Sequence, residues 1–287
     1  MNTAEWKPTV EHAEDVVSVA RATALHGLLD APGEAPGQGD PLPPLWHWLA
    51  FLPNVPQRDL GSDGHPRRGG FLPPIDLPRR MFAGARYQFS APLLVGVPLE
   101  RTGEVLSVEE KTGKSGALVF VKVRYVVSCD GREAVVEEQD IVYRGETPST
   151  PAAGPQAAAG VAGDAAEAWD WKWELPIEPT LLFRFSALTY NAHRIHYDRP
   201  YATSVEGYPG LVVHGPLQAM SLAELCRRNA PDRTLSEFRF RAVSPAFDDG
   251  PVRFAGKLSD DGRQVTLAAA DHLGVRTMEA SAGFAAG

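Results

Sequence analysis

The chain has 287 residues, 44% of them hydrophobic, which is enough to bury a real core and about right for two domains of modest size. With 28 basic against 36 acidic side chains the net charge is −8, so the bulk field attracts neither nucleic acid nor an anionic membrane, and only a local basic pocket stays open. No apolar run approaches the roughly 20 residues needed to span a bilayer, no basic-then-apolar leader opens the chain, and the two cysteines, Cys129 and Cys226, stand far apart; these features predict a cytoplasmic protein with free thiols, without a disulfide framework or a thiolate metal site.

Val16, Val17, Val19, Ala20, Ala24, Leu25 and Leu28 recur at helical spacing, and Asp30 to Gly33 stops the pattern. Leu45 to Phe51 reads as a short buried helix. The polar, glycine-rich and basic segment Asp59 to Gly70 reads as a mobile loop. Beyond Met81 the period becomes two, and strands are expected at Ala85 to Phe89, Leu99 to Glu109, Ala117 to Ser128 and Ala134 to Arg144, with turns at Gly116 and at Asp130-Gly131. Residues 147–168 are nearly all small, with several prolines, and read as a linker. A strand is expected at Thr180 to Phe185 and a helix at Pro216 to Asn229. Four further strands follow, at Leu235 to Val243, Val252 to Ser259, Val265 to Asp271 and Arg276 to Phe284. Turns lie at Asp260 to Gly262 and His272 to Gly274. The pattern is an α+β chain in which helix-then-antiparallel-sheet occurs twice. The expected units are 1–146, 147–168 as linker, and 169–287.

Chemistry concentrates between Phe185 and Pro216, where Asn191, His193, His196, Asp198 and His214 occur together and three of the eight histidines fall. A glycine-bearing apolar turn, Pro209 to Pro216, leads into the expected helix. This places a proton-transfer group near a backbone amide donor, as chemistry beside a carbonyl requires. His193, His196 and Asp198 also have the residue types of divalent-metal ligands, but the intervening tyrosine and arginine and the lack of another clear ligand argue for no metal.

The run Thr189-Tyr190-Asn191-Ala192-His193-Arg194-Ile195-His196 resembles the signature of the MaoC-like enoyl-CoA hydratases and hydroxyacyl-thioester dehydratases, Ser-Gly-Asp-x-Asn-Pro-aliphatic-His. Val212-Val213-His214-Gly215 is similar to the segment that begins their central helix. Asn191 stands where that signature has Asp, and His193 where it has Asn. The variant is similar to the subgroup of type 2 dehydratases and of mesaconyl-C4-CoA and itaconyl-CoA hydratases. The resemblance implies a double hot dog: two antiparallel sheets, each wrapped around a central helix. The first half is implied to be non-catalytic and dehydratase-like, and the second to carry the motif.

It further implies reversible hydration of an enoyl-CoA thioester, with a short branched dicarboxylic acyl group as the leading expectation. A fatty-acid-type 3-hydroxyacyl-thioester dehydratase, a non-catalytic acyl-CoA-binding module and a hot dog thioesterase are the alternatives. On this reading His196 is the acid/base group, since histidine titrates near working pH. Asn191 orients the water, His193 shares the proton work or a hydrogen bond, and the Gly215 amide is the oxyanion donor at a helix N-terminus. Tyr208, Gly210, His214, Arg194 and Arg241 are the candidate substrate-binding residues, with a guanidinium as the expected clamp for a free carboxylate. The segments Arg67-Arg68 and Arg79-Arg80 and the residue Arg239 are read as phosphate contacts or ordinary surface. No cofactor is expected beyond the coenzyme A of the substrate. The expected assembly is a monomer or homodimer, with neither nucleic acid nor membrane as partner.

Overall fold

The computed structural model describes residues 6–113, 116–145 and 168–285. The expected linker lies outside the described residues apart from Ala168. Ten strands form one continuous sheet in which every pairing is antiparallel. These are β1 (Glu11–Val16), β2 (Arg79–Phe89), β3 (Pro98–Gly113), β4 (Gly116–Cys129), β5 (Arg132–Arg144), β6 (Trp171–Leu175), β7 (Leu235–Ala242), β8 (Val252–Leu258), β9 (Gln264–Ala270) and β10 (Arg276–Phe284). Their order is β1-β3-β4-β5-β2-β7-β10-β9-β8-β6. Five strands thus come from each half, and the halves join through the β2–β7 pair, from Gly84 opposite Arg241 to Gln88 opposite Glu237. With α1 (Val19–Leu28), α2 (Pro179–Thr189) and α3 (Gly215–Asn229), this is an α+β double hot dog.

Helix α3 is the central helix of the second half, packed against β6 to β10. It is buried without interruption from Leu217 to Cys226. Each large apolar side chain in that run contributes about 1.5–3 kcal/mol relative to exposure. Two of its polar members are paired: Gln218 Oε1 accepts from Thr277 Oγ1 at 2.7 Å, and Glu224 binds Arg227 and Arg228. The last interaction ties the halves together, because Arg228 also donates to the Leu29 and Asp30 carbonyls.

One core runs through both halves, from Leu25 and Tyr87 to Phe238, Leu222 and Phe254. A second apolar patch (Val119, Val121, Val123, Ile141, Tyr143) is covered by the segment carrying Phe71, Leu72 and Ile75. Arg68 fastens that segment by donating to the carbonyls of Ile75, Leu77 and Pro78. Both cysteines are free and buried, and burial pushes the Cys226 thiol up to about 12.

Several expectations change here. Residues Thr180 to Phe185 are helical rather than extended. Pro179 sits in the first turn of α2, where its fixed φ and missing N–H cost nothing, and Leu181, Leu182, Phe185 and Ser186 bury one helical face. Val16 ends strand β1, which the periodicity did not reveal, and Ser18 caps α1 with its hydroxyl on the Arg21 N–H. The Leu45 to Phe51 helix is a 3₁₀ turn over Trp46–Leu49. Asp59 to Gly70 is not a free loop: it folds on itself through Gly61 N–H to the His65 carbonyl, 2.7 Å, and Arg67 N–H to the Asp59 carbonyl, 2.8 Å.

Candidate active site

The histidine-rich motif begins where α2 ends. Tyr190 takes the left-handed conformation, φ 50°, and Asn191 N–H returns to the Ser186 carbonyl at 2.9 Å. The Asn191 side-chain oxygen then accepts the His193 N–H at 3.0 Å and fixes the bend. A 3₁₀ turn, Arg194–His196, presents His196, and Val212 N–H bonds the Ile195 carbonyl at 3.0 Å, bringing the second motif segment alongside. Helix α3 starts three residues beyond Val212.

His196 is 7% exposed. Its Nδ1 lies 2.7 Å from the Val212 carbonyl oxygen. A carbonyl only accepts, so Nδ1 carries the proton and Nε2 carries the free lone pair. Burial, against the opposing Val212 hydrogen bond, pushes the ring's proton affinity down to about 4. At neutral pH His196 is therefore a base in its unprotonated form.

The other rings extend in a row from it. His214 stacks on His196 with centroids 3.7 Å apart, and His193 meets it edge-on at 5.4 Å. His193 in turn lies 4.1 Å from His65, which belongs to the first half. Burial first, then the neighbouring imidazoles, lower His193 to about 2 and His214 well below the usual range. Beyond His65 stands Asp63, whose Oδ2 accepts from the His65 Nδ1 at 3.1 Å and whose Oδ1 accepts the His65 N–H at 3.0 Å. Burial raises the Asp63 carboxyl, but its interactions with His65 outweigh it and hold the group well below the usual carboxylate range. The site is thus shared between the halves, and Asp63 and His65 are the residues that sequence reasoning missed. Three side chains, Asp63, His65 and His193, bring ligand atoms within 4.8 Å of one another, a spacing compatible with a cation as well as with a hydrogen-bonded cluster.

The docking is tight. Gly64, at φ +91°, lies so close to the Ala192 carbonyl oxygen that a Cβ there would be 1.8 Å from it. Arg194 N–H bonds the Asp63 carbonyl at 2.9 Å, and the Arg194 guanidinium reaches the Ser62 carbonyl at 3.1 Å.

Gly215 opens α3 at its positive end, and the space a Cβ would take there holds no protein atom within 4 Å, so a ligand can approach this backbone closely. Asn191 has its oxygen on the His193 N–H, and its amide nitrogen makes no hydrogen bond among the described residues and is free to donate to a water. Tyr208 is partly buried, 5.9 Å from Phe247. An open groove lined by Pro179, Thr180, Phe183, Arg184, Tyr197 and Leu211 lies beside the motif.

The remaining expected substrate contacts have other neighbours within the protein. His214 is fully buried behind His196 and shares a 2.9 Å hydrogen bond with Ser186 Oγ, so it braces the base. Gly210 is small because Asp248 Oδ1 would lie 2.6 Å from a Cβ there. Arg194 has its Nε and Nη2 on Asp198 Oδ2, at 3.0 and 2.8 Å, and stacks on Tyr201. Arg241 is exposed on the face of β7 opposite Phe238 and Phe240 and pairs with Glu279 at 2.8 Å, because alternation turns it away from α3. Arg239, on the same face, donates to Ser281.

A family model described as hydroxyacyl-thioester dehydratase type 2 matches residues 45–248. A mesaconyl-C(4)-CoA hydratase of Chloroflexus aurantiacus is 48% identical over 264 residues, covering 91% of this chain and 92% of that protein. Among solved structures, a MaoC-like dehydratase superposes with a TM-score of 0.71 at 14% identity, over 99% of both chains. A conserved hypothetical protein of Mycobacterium tuberculosis described as having a double hot dog fold gives 0.57 at 15% identity, covering 99% of this chain and 98% of that one.

Proposed function

The chain belongs to the hydroxyacyl-thioester dehydratase type 2 family and is a hydro-lyase of thioesters, and from this premise we propose that it reversibly adds water to a short branched dicarboxylic enoyl-CoA of the mesaconyl-C4 or itaconyl kind. The observation that carries the mechanism is the hydrogen bond from His196 Nδ1 to the Val212 carbonyl, which leaves Nε2 as a buried base beside the start of α3.

Nε2 takes a proton from water as the oxygen attacks the β-carbon. The π pair moves toward the thioester, and the Gly215 N–H holds the developing enolate oxygen; one such donor is worth about 3 kcal/mol in the transition state. The imidazolium then returns the proton to the α-carbon, so atoms and charge balance without any other reactant. Asn191 orients the water through its amide nitrogen, and His193, unprotonated at neutral pH, contributes a second ring acceptor. The groove lined by Phe183, Arg184 and Tyr197 accommodates the coenzyme arm. A cytoplasmic location and a monomer or homodimer complete the reading; the described residues contain no helix long and apolar enough to cross a membrane.

An absorbance assay over enoyl-CoA esters with and without a terminal carboxylate tests the proposal. The expected result is hydration of the dicarboxylic esters and a loss of about 100-fold or more in His196→Ala. Release of free thiol would make the protein a thioesterase, tight binding without turnover would make it a binding module, and near-normal rates in the variant would remove His196 from the chemistry.

A further inference from the structure

We infer that Arg80, at the start of β2, receives the free carboxylate of the acyl group. The inference rests on the dicarboxylic reading above and assigns that group a subsite. In such an ester the second carboxylate hangs on the β-carbon or one carbon beyond it. Whatever holds it must therefore lie close to the base that activates the attacking water, on the side of His196 away from the thioester oxygen and Gly215. His193, edge-on to His196 at 5.4 Å, links the base to His65 of the first half, the half that carries Arg80.

Most of the other arginines near the motif are spent, and Arg184 is exposed on α2 in the groove assigned to the coenzyme arm. Arg194 is held by Asp198 and Ser62, and Arg68 by three carbonyls. Arg79 donates to the Glu206 carbonyl at 3.2 Å and faces its carboxylate at 3.8 Å. Arg199 is paired with Asp248, and Arg241 points away from the helix. Arg80 differs. It is half-buried, and among the described residues its guanidinium has neither a hydrogen bond nor an ion pair, while its nitrogens stay open to solvent.

Its direction follows from the register. Arg80 stands opposite Tyr143 on β5, so both side chains leave the same face of the sheet, and Tyr143 is fully buried there in the patch covered by the segment that follows Arg68. Arg79 lies over the Tyr208 ring at 6.0 Å, which seats this end of β2 against the 201–208 segment of the motif. The Arg80 charge is felt at His193, where it works against protonation. The Tyr143 hydroxyl, on the residue opposite Arg80, is buried without a partner, so this corner holds a second polar group that a carboxylate oxygen can satisfy by accepting its hydrogen bond. A half-buried guanidinium has lost hydration without gaining a partner, and a planar carboxylate matches its fork with two charge-assisted bonds.

The test is the ratio of kcat/KM for two enoyl-CoA esters of equal chain length, one with and one without the terminal carboxylate, in the wild type, Arg80→Gln and Arg80→Lys, with thermal melts as a fold control. The expected result is a fall in that ratio of about 30-fold or more in Arg80→Gln. Arg80→Lys should fall in between, because an ammonium keeps the charge and loses the fork. Equal losses on both esters would assign Arg80 to something they share, such as a coenzyme A phosphate or the fold, and would overturn the inference. So would an unchanged ratio in a wild type that prefers the dicarboxylic ester. A wild type that does not turn over the dicarboxylic ester would overturn the proposed acyl group and this subsite together.

Discussion

The imidazole of His65 lies 4.1 Å from that of His193, centroid to centroid, although the two come from opposite halves of the chain. The contact depends on a glycine. Gly64 has φ +91° and leaves no room for a side chain against the Ala192 carbonyl. Gly64→Ala therefore meets both backbone strain and a backbone clash. The expected outcome is a destabilisation of about 1–3 kcal/mol and a loss of hydratase activity that exceeds the shift in melting temperature, because the 61–65 turn lifts off the motif. Full activity in a variant with an unchanged melt would show that this turn is dispensable.

Asp63 sets the tautomer of His65. Its carboxylate accepts from Nδ1, and an Asn amide nitrogen at the same place donates instead. Asp63→Asn should move the His65 proton from Nδ1 to Nε2 where the amide nitrogen faces the ring, and should lower kcat/KM by about tenfold or more. Imidazole ¹⁵N shifts report the tautomer directly. Unchanged shifts with normal turnover would make Asp63 only a turn residue.

The motif and its helix were legible in the sequence because short-range chemistry determines them. Asn191, His196 and Gly215 lie within one stretch, and the strands of each half announce themselves by period two and by glycine turns. The contribution of Asp63 and His65 was not legible, since the contact is made by a docked turn whose only sequence mark, polar and glycine-rich, is also that of a free loop. Helix α2 was misread because a short apolar run such as Leu181 to Phe185 fits either period until its proline is placed at a helix start. In the sequence Arg194 and Arg241 read as the candidate clamps, and Arg80 only as a phosphate contact or ordinary surface, because sequence gives residue type but not partners.

Glu137 makes a test of stability away from the motif. It is 3% exposed, and its oxygens accept from Tyr87, Trp48 and Gln139 at 2.8, 3.1 and 2.7 Å and face His47 Nε2 at 3.2 Å. Burial raises its pKa, but the His47 interaction and these donors prevail, so it stays ionised. Glu137→Ala leaves several buried donors without an acceptor, and the expected cost is about 3–5 kcal/mol. Glu137→Leu, which fills the volume but strands the same donors, should recover only part of it. Chemical denaturation measures both, and a cost below about 1 kcal/mol would mean that water replaces the carboxylate.

Acid should separate activity from stability. The base form of His196 is the active one, so kcat/KM is expected to be flat from neutral pH down to about 5 and to fall as the ring protonates near 4. A fall centred near 6.5 would show that the ring is hydrated in the free enzyme. Stability moves earlier. His193, His196 and His214 all bind a proton more weakly folded than unfolded, so the unfolded chain holds more protons below about pH 6.5. Their contribution is therefore complete above that pH and is lost as the pH falls toward their folded values. The slope is about 1.4 kcal/mol per pH unit for each ring, or up to about 4 for the three. His196→Gln removes one titrating ring, so its denaturation midpoint should fall less steeply between pH 6.5 and 5 than that of the wild type. Parallel pH profiles for the two proteins would mean that His196 has the same proton affinity folded and unfolded, which burial at 7% exposure does not allow.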